Sequence, residues 1–210
     1  MPSRNTIKEY EENAYYHVYN RGVEKRVIFH DAQDYTVFIG LLKKYLAGEE
    51  DARKNRHPYT KLDKEVKLIV YCLMPNHFHL LLHQSTPDGV TKMMRRLATG
   101  YAMYFNNRYS RVGALFQGKY KAARINSDAY LHHISRYIHL NPEQYRMWPY
   151  SSLQYYRGDK RVPKWLDISD VMSLFNDDRK QYLEFVSEYQ DSMRELAVLK
   201  WQLANNPDDD

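Results

Sequence analysis

Two histidines one residue apart, His77-Phe78-His79, sit in an apolar run that continues through Leu80-Leu81-Leu82. Side chains on a strand alternate between faces, so His77 and His79 project one way and Phe78 projects the other way, into a core. Downstream, Arg136-Tyr137-Ile138-His139-Leu140-Asn141-Pro142 reads as helix and places Tyr137 one turn from Asn141. Two neutral imidazoles and an amide oxygen, completed by water and phosphate, suit Mg2+ or Mn2+. A phenol ordinarily titrates at about 10, so Tyr137 needs cationic or metal-linked help to attack a phosphodiester. The chemistry implied is cleavage of a nucleic-acid strand, with His77, His79 and Asn141 as metal ligands and Tyr137 as nucleophile.

Other residues compete for these roles. Tyr130, two turns earlier on the same helix, is the rival nucleophile. His83 shares the face of the pair but lies about 7 Å beyond His79 along the strand, which makes it peripheral. His132, His133 and His139 lie on the helix and read as surface or packing residues. The usual zinc spacings, a Cys pair or His-Glu-x-x-His, are absent. Histidine pairs on a sheet face are commonly structural. What distinguishes this one is the Pro75-Asn76 turn, expected to hold both imidazoles at a sheet edge within reach of a ligand.

The elements that must position these groups follow from periodicity. Tyr15 to Asn20 reads as a first strand, stopped by Arg21-Gly22. Asp34 to Ala47 has a helical period, and 48–64 is a polar loop interrupted by Pro58. Val66 to Leu73 and His77 to Gln84 form a hairpin across Met74-Pro75-Asn76. Asp88 is placed to cap a helix over Gly89 to Asn107, Lys119 to Ile125 forms a fourth strand, and Ser127 or Asp128 caps a helix ending at Pro142. The order β-α-β-β-α-β predicts an α+β fold, a ferredoxin-like four-stranded antiparallel sheet with helices on one side. A short helix or turn follows Trp148-Pro149-Tyr150. Asp178 to Leu203 then carries an apolar stripe that must pack on the body or on a second subunit, and 205–210 reads as a disordered acidic tail. The expected division is 14–157 for the chemistry and 158–210 for a helical extension.

Charge is unevenly distributed. Of the formal +5, residues 92–146 carry +8, and 159–210 carry −5. A basic middle beside an acidic end suggests a polyanion-binding body with a separate C-terminal element. Twenty tyrosines fit single-stranded nucleic acid, on whose bases they can stack. The single Cys72, the polar N-terminus and the absence of a long apolar run point to a soluble cytoplasmic protein with no membrane partner.

His77-Phe78-His79 resembles the HUH motif, two histidines flanking a bulky apolar residue, of single-tyrosine transposases. Pro75-Asn76-His77-Phe78-His79-Leu80-Leu81, Phe116-Gln117-Gly118-Lys119-Tyr120 and Arg136-Tyr137-Ile138-His139-Leu140-Asn141-Pro142 resemble the branch associated with repetitive extragenic palindromes, the REP-associated tyrosine transposases. The resemblance covers about residues 14–157 in order; beyond Lys160 nothing is similar. Related insertion-sequence transposases carry Gln four residues after the nucleophile, where Asn141 stands here.

The resemblance implies a nucleoid-associated enzyme that cleaves and rejoins single-stranded DNA beside hairpins through a 5′-phosphotyrosine. It implies that Lys92, Arg95, Arg96, Lys119, Lys121 and Arg124 hold backbone phosphates and that Phe116, Gln117 and Tyr120 touch unpaired bases. A homodimer is one expected arrangement. Two rival readings remain. One is a non-catalytic nucleic-acid-binding sheet. The other is a hydrolase acting through water, which would need a third strong ligand or a carboxylate near the histidines.

Overall fold

The computed structural model describes residues 10–47 and 61–188. The start of the lead-in, most of the 48–64 loop, the helical run expected beyond residue 188 and the tail at 205–210 lie outside the described residues. The elements are β1 (Ala14–Arg21), α1 (Ala32–Leu46), β2 (Val66–Met74), β3 (His77–Gln84), α2 (Gly89–Arg108), β4 (Lys121–Ile125), α3 (Asp128–His139), α4 (Leu153–Tyr156), α5 (Ser169–Ser173) and α6 (Arg179–Ser187). Short polar side chains open three of the helices. Asp31 accepts from the backbone of Gln33 and Asp34, Ser127 from Tyr130, and Asp178 from Lys180 and Gln181. Asp88 occupies the expected cap position of α2 but makes no cap bond there; its carboxylate pairs with Lys92 at 3.0 Å instead.

The four strands form one antiparallel sheet in the order β2-β3-β1-β4, as the ferredoxin-like α+β reading requires. Strand β3 is therefore interior, so the histidines lie toward the end of a central strand and not on a lateral edge. The sheet buries both faces. Tyr16, Val18, Leu68, Phe78, Leu80 and Leu82 pack beneath α1 and α2. Ile69, Val70, Cys72, Leu81 and Ala123 pack beneath α3, α5 and α6. A β-bulge between Leu68 and Val70 sends both Ile69 and Val70 into that second layer. The helices are thus not confined to one side. The short α3 is the most strongly amphipathic helix described, and its Leu131, Ile134 and Ile138 are buried against the second face.

The expected boundary at residue 157 marks no break in packing, because Val171, Met172, Tyr182 and Val186 share a core with Leu153 and Tyr156. The C-terminal segment packs on the body of its own chain. Asp167 N–H donates to the Leu68 carbonyl, Lys67 pairs with Asp167 at 2.9 Å, and the Tyr15 hydroxyl donates to Asp170. On α3, the fully buried His139 ring is hydrogen-bonded through Nδ1 to the Tyr182 hydroxyl at 2.7 Å and through Nε2 to Ser152 Oγ at 2.8 Å. Arg136 lies 4.1 Å from the centre of the Phe185 ring and donates to the Phe185 carbonyl. These contacts anchor the back of α3.

Burial pushes the His139 imidazole down to about 3. The folded ring therefore stays neutral while the unfolded one takes up a proton below about 6.5, so stability falls as pH drops through that value. Between pH 7.5 and 5.5, His139 should account for a loss of about 1.3 kcal/mol of unfolding free energy. Denaturant unfolding of wild type and His139→Gln at both pH values should show that much less pH dependence in the variant. An identical pH dependence would mean the ring is charged in the fold.

Candidate active site

The side chains on the second face line up in rows set by strand register. Across one row stand Lys121, Tyr19, His79 and Cys72; beside it lies the pair Arg21 and His77; on the other side are Ala123, His17 and Leu81. Register alone thus gathers three imidazoles, His17, His77 and His79. His79 and His17 are buried, 6% and 1% exposed, because α3 lies over them. Tyr137 projects from α3 onto this group, with its ring 5.6 Å from that of His79 and 5.9 Å from that of His17, both edge-on. The residues that meet here come from one chain. Tyr130, on the same helix, is half-buried, and burial raises its phenol.

The turn before β3 fixes one imidazole. The Pro75 carbonyl accepts from Ile28 and Phe29, and the Asn76 carbonyl accepts from Gly22. A Cβ at Gly22 would collide with the Arg26 carbonyl oxygen, so only glycine lets the 22–26 turn close against this loop. Asn76 Nδ2 donates to the Lys25 carbonyl at 3.2 Å, which turns Oδ1 toward His77 Nδ1 at 2.6 Å. His77 Nδ1 therefore carries the proton. Its neutral ring presents the bare Nε2 lone pair to Asn141 Oδ1, 3.0 Å away.

Two acceptors so close need a donor or a cation. Either the Asn141 amide turns its Nδ2 to the ring or a cation bridges the two atoms. Adjacent ligands on an octahedral ion at about 2.1 Å stand about 3 Å apart, so the spacing fits a small divalent ion. Burial is the main influence holding both His77 and His79 below the usual imidazole range. For His79 the charges of His17 and His77 add to it; for His77 the Asn141 bond opposes it. Neutral imidazoles are what metal ligation requires. Among the described residues no group of three or more His, Cys, Asp and Glu could hold a metal; Asn141 Oδ1 is the further oxygen beside His77.

The other candidates are scattered. Arg21, which the sequence reading missed, is directly opposite His77; it is exposed and donates to Gln117 Oε1, a neutral partner. Gln117 reaches it because Gln117 N–H donates to the Arg21 carbonyl and Phe116 bridges to Gly22. Lys121 points to the site face and Lys119 is exposed nearby in the chain. Phe116 is not available to stack on a base, being buried against Phe78. Tyr120 is half-buried and bonded to Tyr10 at 2.8 Å. Lys92, Arg95 and Arg96 belong to α2, which covers the opposite face, and Lys92 is paired with Glu65 and Asp88. Arg124 also points to that face and pairs with Glu11. His83, His132 and His139 stand away from the Tyr137 cluster: His83 beside Tyr15, His132 beside Phe185, His139 beside Tyr156 and Tyr182.

A family model described as IS200-like transposase matches residues 11–141, a span that holds all three imidazoles, Tyr137 and Asn141. The chain belongs to the IS200-like transposase family. No curated protein matches it. Among solved structures, a REP-associated tyrosine transposase bound to a REP hairpin is 15% identical, with a TM-score of 0.48 over 77% of this chain and 91% of that one. A Deinococcus radiodurans protein assigned to the transposases is 14% identical, with a TM-score of 0.39 over 66% of this chain and 95% of that one.

In this transposase the two motif histidines should differ in their structural weight, against the expectation that both stand clear of a core. Truncating buried His79 leaves a cavity under α3, whereas His77 sits half-buried at the end of its strand. His79→Ala should cost about 2–4 kcal/mol and His77→Ala less than about 1 kcal/mol. Urea unfolding of the two variants checks this; equal losses would place both rings in the same environment.

Proposed function

We propose that this transposase cleaves and rejoins single-stranded DNA beside hairpins, as the REP-associated branch does, with Tyr137 as nucleophile. The observation that supports it is the meeting, within one chain, of Tyr137 with His79 and of Asn141 with His77. A divalent ion, Mg2+ or Mn2+, held by His77, His79 and Asn141, would polarise and orient the scissile phosphate. Tyr137 Oη would attack phosphorus in line, losing its proton. The new bond is a 5′-phosphotyrosine; the bond broken is to the 3′ oxygen, which leaves as a 3′-hydroxyl once protonated. The ester energy is retained in the tyrosine link, so an incoming 3′-hydroxyl can reverse the step and join strands without a nucleotide cofactor.

Arg21 and Lys121 flank the histidine rows on the same face. They are the cations placed to hold phosphates next to the cleaved bond, with Gln117 steering Arg21. Lys92, Arg95, Arg96 and Arg124 serve only a DNA that continues around the β4 edge to the other face. A ferredoxin-like module that binds nucleic acid without cutting it needs an open sheet face for its bases. Here α3, α5 and α6 cover the face carrying the histidines.

Incubated with a hairpin oligonucleotide bearing a single-stranded flank and Mg2+ or Mn2+, wild type should form a denaturation-resistant protein–DNA adduct and release the 3′-hydroxyl fragment. Tyr137→Phe should lose the adduct by about 10³-fold or more, having lost its nucleophile, yet bind the hairpin within a few-fold. Adduct surviving in Tyr137→Phe but lost in Tyr130→Phe would move the nucleophile two turns up the helix.

A further inference from the structure

We propose that His17 is a positioning residue for His79, holding that ring in the tautomer whose Nε2 lone pair is free for a divalent ion. The proposal rests on the reading of His77, His79 and Asn141 as the ligands of that ion. His17 is an anomaly for an interior strand position: an imidazole 1% exposed, in a row with Ala123 and Leu81. Its Nε2 lies 2.9 Å from His79 Nδ1, while its own Nδ1 is buried with no hydrogen-bond partner. An apolar side chain would fill the place without leaving a polar atom unmatched. The ring orientation is set by packing instead, with Tyr19 stacked 5.0 Å away at 23° and Tyr137 edge-on at 83°.

One proton occupies the bond between the two rings, so two arrangements of the neutral pair exist. In the first, His17 Nε2–H donates to His79 Nδ1. His79 then carries its proton on Nε2 and cannot ligate. In the second, His79 Nδ1–H donates to His17 Nε2, which leaves His79 Nε2 bare and puts the His17 proton on Nδ1. Each ring keeps one proton in both arrangements, so changing from one to the other releases none. The second has the form already seen at His77, where Asn76 Oδ1 takes the Nδ1 proton. Each ligand ring thus has a neighbour engaged at the nitrogen that does not face the ion.

The test titrates Mn2+ into the full-length chain without DNA, by electron paramagnetic resonance, for wild type, His17→Leu and His17→Gln. Loss of the acceptor in His17→Leu should raise the Mn2+ dissociation constant about 10–100-fold, and Gln, which retains an acceptor oxygen, should recover most of that loss. His17→Leu should melt no lower than wild type and bind the hairpin without metal within a few-fold. Long-range ¹H–¹⁵N correlation spectra of Mg2+-saturated wild type should show His79 protonated at Nδ1. Unchanged Mn2+ affinity in His17→Leu overturns the proposal while leaving the ligands in place; His79 protonated at Nε2 would remove it as a ligand and overturn both readings. Failure of wild type itself to bind Mn2+ overturns the ligand reading and the proposal together.

Discussion

Side chains on β3 enter two buried layers in alternation, and a slip of one residue in its register would exchange the places of Phe78 and His79. Phe78 is fully buried against Phe38 beneath α1 and α2, and truncating a core aromatic of this kind typically costs about 3–5 kcal/mol. That penalty locks the strand. Once it is locked, His77 and His79 can only face α3, and pairing with β1 places Arg21 and Tyr19 beside them. The apolar residue between the histidines is thus the structural half of the motif, and its burial gives the imidazoles their direction.

The second constraint is the position of α3. A nucleophile on a helix that could swing away would meet the histidines only part of the time. Here the front of α3 packs on the sheet, and the back is tied to α6 and to the segment before α4 through His139, Arg136, Tyr182 and Ser152. The described part of the C-terminal segment thus supports the site from behind α3. Its apolar residues fill the layer that keeps His17 and His79 dry, and that dryness keeps them neutral.

Local patterns made part of this legible in the sequence. Period-two alternation gave the facing of His77, Phe78 and His79. Helical spacing brought Tyr137 and Asn141 toward one site, although α3 ends at His139 and Asn141 lies just past its Leu140 cap, not on the helix as expected. The order of elements gave the sheet. What was hidden depends on partners distant in sequence. His17 and Arg21 sit on β1 in a pattern that names no partner; only the antiparallel register with β3 brings them to the site. Core packing shows that α2, rich in Lys and Arg, lies on the opposite face, which composition cannot reveal. Phe116 illustrates the reverse error: its motif suggested contact with a base, but it lies over Phe78 in the core.

His77 Nε2 and Asn141 Oδ1 face each other at 3.0 Å, and under the proposed function a cation belongs with them. Anomalous diffraction from a crystal of the full chain soaked in Mn2+, recorded at the manganese edge, reads that directly. The account predicts one dominant peak about 2.0–2.3 Å from His77 Nε2, His79 Nε2 and Asn141 Oδ1. A crystal with no peak there, and with Asn141 turned so that Nδ2 donates to His77, would contradict it.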